Sequence, residues 1–214
     1  MFSTYTAAAP LWPDGQASHV LHSVIDDCFC AITVITPTIR RPRHVTRPRG
    51  VTVRNLIHLN NSNLIIPSSL NQNQTCLDLK TVQELQACDG LKCIHLNIRS
   101  MAPKLDFINV LIKGGSPDVF VLTETWLTDR IPDSDIAING FNLFRLDRKT
   151  RAGGVAFLIK EHLSAHVLEM SSTTSHIEYI IIDICLGGDT HCTVIGAYRQ
   201  PSAPVLLWRN LGRY

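Results

Sequence analysis

The chain has 214 residues, 45% hydrophobic and 18% charged, which supplies enough apolar side chain for a core and too little charge for a disordered protein. A formal net charge of +2 is close to neutral, so no overall field argues for nucleic acid. The seven cysteines include no Cys-x-x-Cys pair and no regular framework, which argues against a disulfide scaffold and for a reducing intracellular compartment, cytoplasmic or nuclear.

The N-terminus lacks a basic segment leading into an apolar one, so no signal peptide is expected. Cys28 to Ile35 is apolar but far shorter than the ~20 residues a membrane helix needs, and no membrane partner is expected. Residues 1–90 show no sustained period and are interrupted by Pro10, Pro13, Pro37, Pro42 and Pro48. They read as a weakly ordered arm with one short helix around Leu79 to Ala87. Arg40, Arg41, Arg43, Arg47 and Arg49 fall in a stretch without acid. That stretch fits either an unstructured linker or non-specific contact with RNA or DNA phosphates. Cys28 and Cys30, without a second pair or spaced histidines, read as small apolar side chains rather than metal ligands.

From Leu91 the texture changes. Leu91 to Leu96 reads as a strand. Ser100 and Pro103 then start a helix that carries Leu105, Ile108, Leu111 and Ile112 on one face and stops at Gly114-Gly115. Pro117-Asp118 launches Val119-Phe120-Val121-Leu122, a continuous apolar run of the kind expected when both faces of a strand are covered. Further strands are expected around Phe141 to Leu146, Val155 to Ile159, Ala165 to Leu168, Tyr179 to Leu186 and Cys192 to Ala197. Asn139-Gly140 and Gly187-Gly188-Asp189 supply turn chemistry, the latter for a hairpin. The pattern predicts an α+β protein in which sheets pack on each other and helices cover the outside. Residues 91–204 carry 11 Lys/Arg against 12 Asp/Glu, a balanced surface.

Asn97, Glu124 and Tyr198 each stand where an apolar strand runs out into polar sequence. A carboxylate at such a place can hold Mg²⁺, which commonly uses one or two carboxylates plus water and phosphate oxygens. Asn and Tyr can hydrogen-bond a phosphate without adding negative charge. Taken singly, Asn97 also fits a turn residue, Tyr198 an edge aromatic and Glu124 a loop cap.

The surrounding phrases narrow the choice. Asn97-Ile98-Arg99-Ser100 comes first, then Pro117-Asp118-Val119 leading into Thr123-Glu124-Thr125-Trp126-Leu127. Arg145-x-Asp147-Arg148 with Gly153-Gly154-Val155 follows, and Tyr198-Arg199-Gln200-Pro201-Ser202-Ala203-Pro204 closes the series. Together they resemble the opening half of the endonuclease/exonuclease/phosphatase superfamily, most closely the endonuclease domain of non-LTR (LINE-type) retrotransposons. The resemblance spans about residues 91–204 and leaves 1–90 as an arm and 205–214 as a tail. It implies a DNase-I-like two-sheet sandwich with outer helices, of which only the first half is represented. It also implies Mg²⁺-dependent hydrolysis, or nicking, of DNA phosphodiester bonds. Glu124 matches the metal-binding glutamate, Asn97 the asparagine of the first strand, and Tyr198 the tyrosine near the scissile phosphate. Arg99, Arg145, Arg148 and Arg199 are the implied nucleic-acid contacts.

The family completes its site with Gly-Asp-Phe-Asn and Ser-Asp-His, and neither phrase occurs in this sequence. Gly188-Asp189-Thr190-His191 is only faintly similar and lies in an expected hairpin turn. The expectation is therefore a truncated, catalytically inactive endonuclease domain with weak Mg²⁺ binding. Rival readings are a non-catalytic nucleic-acid-binding remnant and a non-functional translated fragment of a mobile element. Without a partner sheet from the family's second half, the strands Val119–Leu122 and Tyr179–Leu186 are expected to expose an apolar face and promote self-association.

Overall fold

The computed structural model describes residues 90–149, 152–173, 176–187 and 190–200, together with the backbones of three earlier strands. Those three are β1 (His19–Ile25), β2 (Cys28–Ile35) and β3 (Asn55–Leu59). The later strands are β4 (Lys92–Asn97), β5 (Val119–Thr123), β6 (Phe141–Leu146), β7 (Val155–Lys160), β8 (Ser164–Met170), β9 (Ile177–Gly187) and β10 (Thr190–Arg199). Helix α1 (Leu105–Gly115) links β4 to β5, and the single-turn α2 (Asp133–Ile136) precedes β6.

The β4–α1–β5 unit follows from local chemistry. Pro103 sits in a short 3-10 turn at Ala102–Lys104, where its missing N–H costs no helical hydrogen bond, and α1 runs on from there. Helix α1 ends on the glycine pair, and the following Ser116 takes the left-handed conformation and donates its N–H to Ile112 O. Ile108 and Leu111 bury fully against the sheet, joining Ile94, Leu96, Phe120 and Leu122 in one cluster. With its crossover helix in place, β5 pairs parallel to β4, Cys93 opposite Val119 through Asn97 opposite Thr123.

The strands form two five-stranded sheets, ordered β3-β4-β5-β7-β6 and β1-β2-β10-β9-β8. The first is mixed, with β3, β4 and β5 parallel and β7 antiparallel to β5 and β6. The second is wholly antiparallel. A second core joins them: Val119, Val121, Val155 and Phe157 from one sheet meet Ile180, Ile182, Ile184, Val194 and Tyr198 from the other. The result is an α+β protein with two sheets and few helices, layered as helix, mixed sheet and antiparallel sheet. No helix among the described residues is long and apolar enough to cross a membrane.

Two expectations change. Residues 1–90 were expected to form an arm, yet β1, β2 and β3 extend both sheets, β2 running antiparallel to β10 from Cys28 opposite Tyr198 to Ile35 opposite His191. Cys28-Phe29-Cys30-Ala31-Ile32-Thr33-Val34-Ile35 is a continuous run rich in β-formers, and such a run has no period to read. The expected helix around Leu79 to Ala87, the Arg40–Arg49 stretch and residues 205–214 lie outside the described residues.

The exposed apolar face is the second change. Every residue of β5 is fully buried, because Val119 and Val121 face the antiparallel sheet while Phe120 and Leu122 face α1. Ile180, Ile182 and Ile184 are likewise buried. The sheet that covers β5 comes from this chain's own β9 and β10.

Candidate functional site

Open sheets with parallel strands place ligands beyond the strands' carboxyl ends, where the chain leaves the ladder. Here β4 and β5 leave it side by side. Ile98 N–H still donates to Thr123 O, Ser100 N–H to Glu124 O and Met101 N–H to Thr125 O, each at 2.9 Å, so the two departing segments stay tied together. At this rim Asn97 Nδ2 donates to Glu124 Oε1 at 2.9 Å, and Arg99 Nε stands 3.9 Å from Glu124 Oε2.

The backbone here adopts conformations that L-residues disfavour. Arg99 (φ 42°), Ser100 (φ 79°), Glu124 (φ 53°), Trp126 (φ 53°) and Ala152 (φ 85°) are all left-handed. Such residues cost on the order of 1–3 kcal/mol each and persist only where the surroundings fix them. The fixing group is the glycine pair before β7. Gly153 O accepts the Trp126 N–H at 3.0 Å and Gly154 O the Thr125 N–H at 3.4 Å. Both glycines have positive φ, 88° and 89°. A Cβ on Gly154 would collide with Thr125 Oγ1, and one on Gly153 would sit 2.7 Å from Glu178 Oε2, so both positions also require glycine for space.

Tyr198 lies at the same end of the molecule but on the other sheet, opposite Glu178 in the β9–β10 ladder. Its ring belongs to the core between the sheets and is almost fully buried. The structure thus brings Asn97 and Glu124 into contact and places Tyr198 at their end, joined to them through Glu178 and the glycine pair.

The four expected arginines divide. Arg99 has a side chain 52% exposed beside Glu124. Arg145 is held inside, donating to Asp133 Oδ1 at 2.8 Å, Thr128 O at 2.9 Å and Asp147 Oδ2 at 3.0 Å through Nε. Arg148 pairs with Glu178 at 3.3 Å. Arg199 donates to Gln200 O at 3.3 Å. Arg145 and Arg148 therefore act as internal counter-ions, a role that Asp147 and Glu178 impose.

Two groups near the site escaped the sequence reading. Lys104 Nζ donates to Arg99 O at 2.8 Å and to Ile98 O, clamping the loop after β4. Burial and the Arg99 charge hold its ammonium below the usual lysine range, with Glu124 pulling the other way. Glu178 is only 1% exposed and accepts the Gly154 N–H. Burial raises its carboxyl above the usual range, against the opposing pull of Gly154 and Arg148. A lone Glu in His176-Ile177-Glu178-Tyr179 carries no signal of this, although a charged residue at an inward position of a strand is itself one.

No cluster of three or more His, Cys, Asp or Glu able to hold a metal occurs among the described residues. Glu124 with Asn97 offers one carboxylate, which is the lower end of what Mg²⁺ uses. His191 does not complete the set. It sits at the start of β10, seven residues or about 23 Å along the strand from Tyr198, and its Nδ1 is 2.7 Å from Asp183 Oδ2 on that distant part of the sheet. His176, immediately before β9, is exposed, and its carbonyl accepts the Gln200 N–H at 3.1 Å just past Tyr198. No family model and no curated protein matches the chain.

Proposed function

We propose that this chain carries the opening half of a DNase-I-like phosphodiesterase domain of the non-LTR retrotransposon endonuclease kind, with DNA as the polymer and Mg²⁺ as the cofactor. The observation that carries the reading is the Asn97–Glu124 hydrogen bond at the shared carboxyl end of two parallel strands, set in strained backbone. Four motif phrases resembling that family meet around it: Asn97–Ser100, Thr123–Leu127, Gly153–Val155 and, across the second sheet, Tyr198–Gln200.

In this reading Glu124 holds the ion and Asn97 fixes the carboxylate by holding Oε1. When bound, Mg²⁺ would neutralise charge on the phosphoryl oxygens. Arg99, exposed beside Glu124, faces the phosphate backbone, and Tyr198 stands at the same end on the opposite sheet, its ring packed in the core. A second carboxylate and a proton-transferring histidine do not join Glu124 among the described residues, and general acid–base help alone is worth about 10²–10⁴ in rate. The 214-residue chain should therefore bind Mg²⁺ weakly and leave supercoiled DNA intact.

Two measurements test this. Mn²⁺ added to the full chain should broaden the Glu124 and Asn97 amide resonances selectively, and Glu124→Ala should abolish the effect. Absence of any Mn²⁺ effect at Glu124 overturns the metal reading. Plasmid nicking in Mg²⁺ should stay at background. Nicking that disappears with both Glu124→Ala and His176→Ala would show that the chain already holds a complete site.

A further inference from the structure

We infer that Glu178 is a positioning residue for the Glu124 site, acting through the Gly153–Gly154 backbone, an assignment that rests on the reading of Glu124 as metal ligand. The contacts run without a gap. Glu178 Oε2 accepts the Gly154 N–H, Gly153 and Gly154 accept the Trp126 and Thr125 N–H groups, and those two residues directly follow Glu124. Glu124 and Trp126 both sit at φ 53°, so the segment cannot relax into ordinary extended backbone without breaking these bonds.

The arrangement leaves Glu178 little other use. Its side chain is 1% exposed, so it does not reach solvent or a ligand, and Arg148 Nε at 3.3 Å balances its charge from a partly exposed position. The fit against the glycine pair is close enough that a Cβ on Gly153 would meet both Glu178 oxygens, at 2.7 and 2.9 Å. Burying a carboxylate costs several kcal/mol unless it is hydrogen-bonded and paired. At this position the buried oxygen fixes a loop bearing the site's one carboxylate. Groups that orient metal ligands behave this way, and their loss typically lowers metal affinity about 10- to 100-fold.

The test compares Glu178→Gln with Glu178→Met in the full chain. The two side chains are similar in size, but only Gln keeps an acceptor for the Gly154 N–H. In the wild type the Gly154 amide proton should resonate well downfield, and it should remain there in Glu178→Gln and move upfield in Glu178→Met. The Mn²⁺ concentration that half-broadens the Glu124 amide should rise about tenfold in Glu178→Met and less than threefold in Glu178→Gln. Glu178→Asp, which keeps the charge and withdraws the acceptor, should behave like Met and serves if Met does not fold. Equal Mn²⁺ responses in the folded acceptor-lacking and acceptor-keeping variants would overturn the inference. If Mn²⁺ leaves Glu124 untouched in the wild type, the metal reading fails first. The movement of the Thr125 and Trp126 amides then still decides whether Glu178 positions this loop.

Discussion

Gly196 of β10 stands against Val121 of β5 across the core between the sheets: a Cβ built on Gly196 would lie 2.5 Å from Val121 Cγ1 and 2.9 Å from Phe157 Cε2. Val121 and Phe157 are both fully buried, so neither can move aside without disturbing the mixed sheet. Overpacking of this kind costs typically 1–3 kcal/mol. Gly196→Ala should lower the urea midpoint by an amount in that range with little change in slope, and Gly196→Val should prevent cooperative folding. A Gly196→Ala midpoint equal to wild type would mean that the two sheets do not meet as closely as the structure has them.

That close approach also shows what a reader of the sequence misses. Cys192-Thr193-Val194-Ile195-Gly196-Ala197 announces a strand, and β10 indeed spans Thr190–Arg199. Nothing in it says that Gly196 is where another backbone's side chains arrive. The βαβ unit was legible because Leu105, Ile108, Leu111 and Ile112 carry a helical period and Val119–Leu122 a run without polar breaks. β1, β2 and β3 were not, since their place in a sheet depends on partners such as β10 and β4 that lie far off in the chain. At the site, Asn97 and Glu124 stood out because each ends a strand. The resemblance made Arg148 a phosphate contact, but its acid, Glu178, is 30 residues away and becomes a neighbour only in the fold, whereas Arg145's Asp147 stands two residues on and Asp133 joins it only in the fold.

The pH dependence of stability should carry the signature of Glu178. Burial raises its folded-state carboxyl above the ordinary value of roughly 4.3, so the folded protein holds this proton more tightly than the unfolded chain. Its contribution is fully present below the ordinary value and is lost as pH rises through the raised one. Asp147, raised by burial against the pull of Arg145, adds a slope of the same sign. Over that window the Tm of Glu178→Gln should decline less than that of the wild type. Parallel curves would show that Glu178 does not change its protonation on folding.

Thiol chemistry should separate the cysteines by depth. Cys192 is fully buried and its thiol is pushed up to about 12, first by burial and then by the nearby Asp183 charge. The thiolate is the reacting species, so Cys192 should resist alkylation in the native protein. Cys93, also fully buried, should resist as well, while the partly exposed Cys185 should be modified first of the three. Mass mapping after brief iodoacetamide treatment reads the order. Early modification of Cys192 would mean that the β9–β10 hairpin opens far more readily than its place in the core implies.

Asn97→Asp probes the site most directly. Asn97 Nδ2 now donates to Glu124 Oε1 at 2.9 Å, and an Asp there would set two carboxylates side by side with no proton between them. Like charges at that distance disfavour joint ionisation, so in EDTA near neutral pH the variant should melt below wild type. Arg99, 3.9 Å from Glu124 and half exposed, offsets only part of the repulsion. A divalent ion would reverse the balance, because two carboxylates make a better Mg²⁺ site than one. A ligand that binds only the folded state stabilises it by RT ln(1 + [L]/Kd), and the gain grows as Kd falls. Millimolar Mg²⁺ should therefore raise the Tm of Asn97→Asp by more than it raises that of the wild type, and Glu124→Ala in the same background should remove the difference. If Mg²⁺ shifts both proteins equally, the two side chains do not share an ion and Glu124 loses its proposed role.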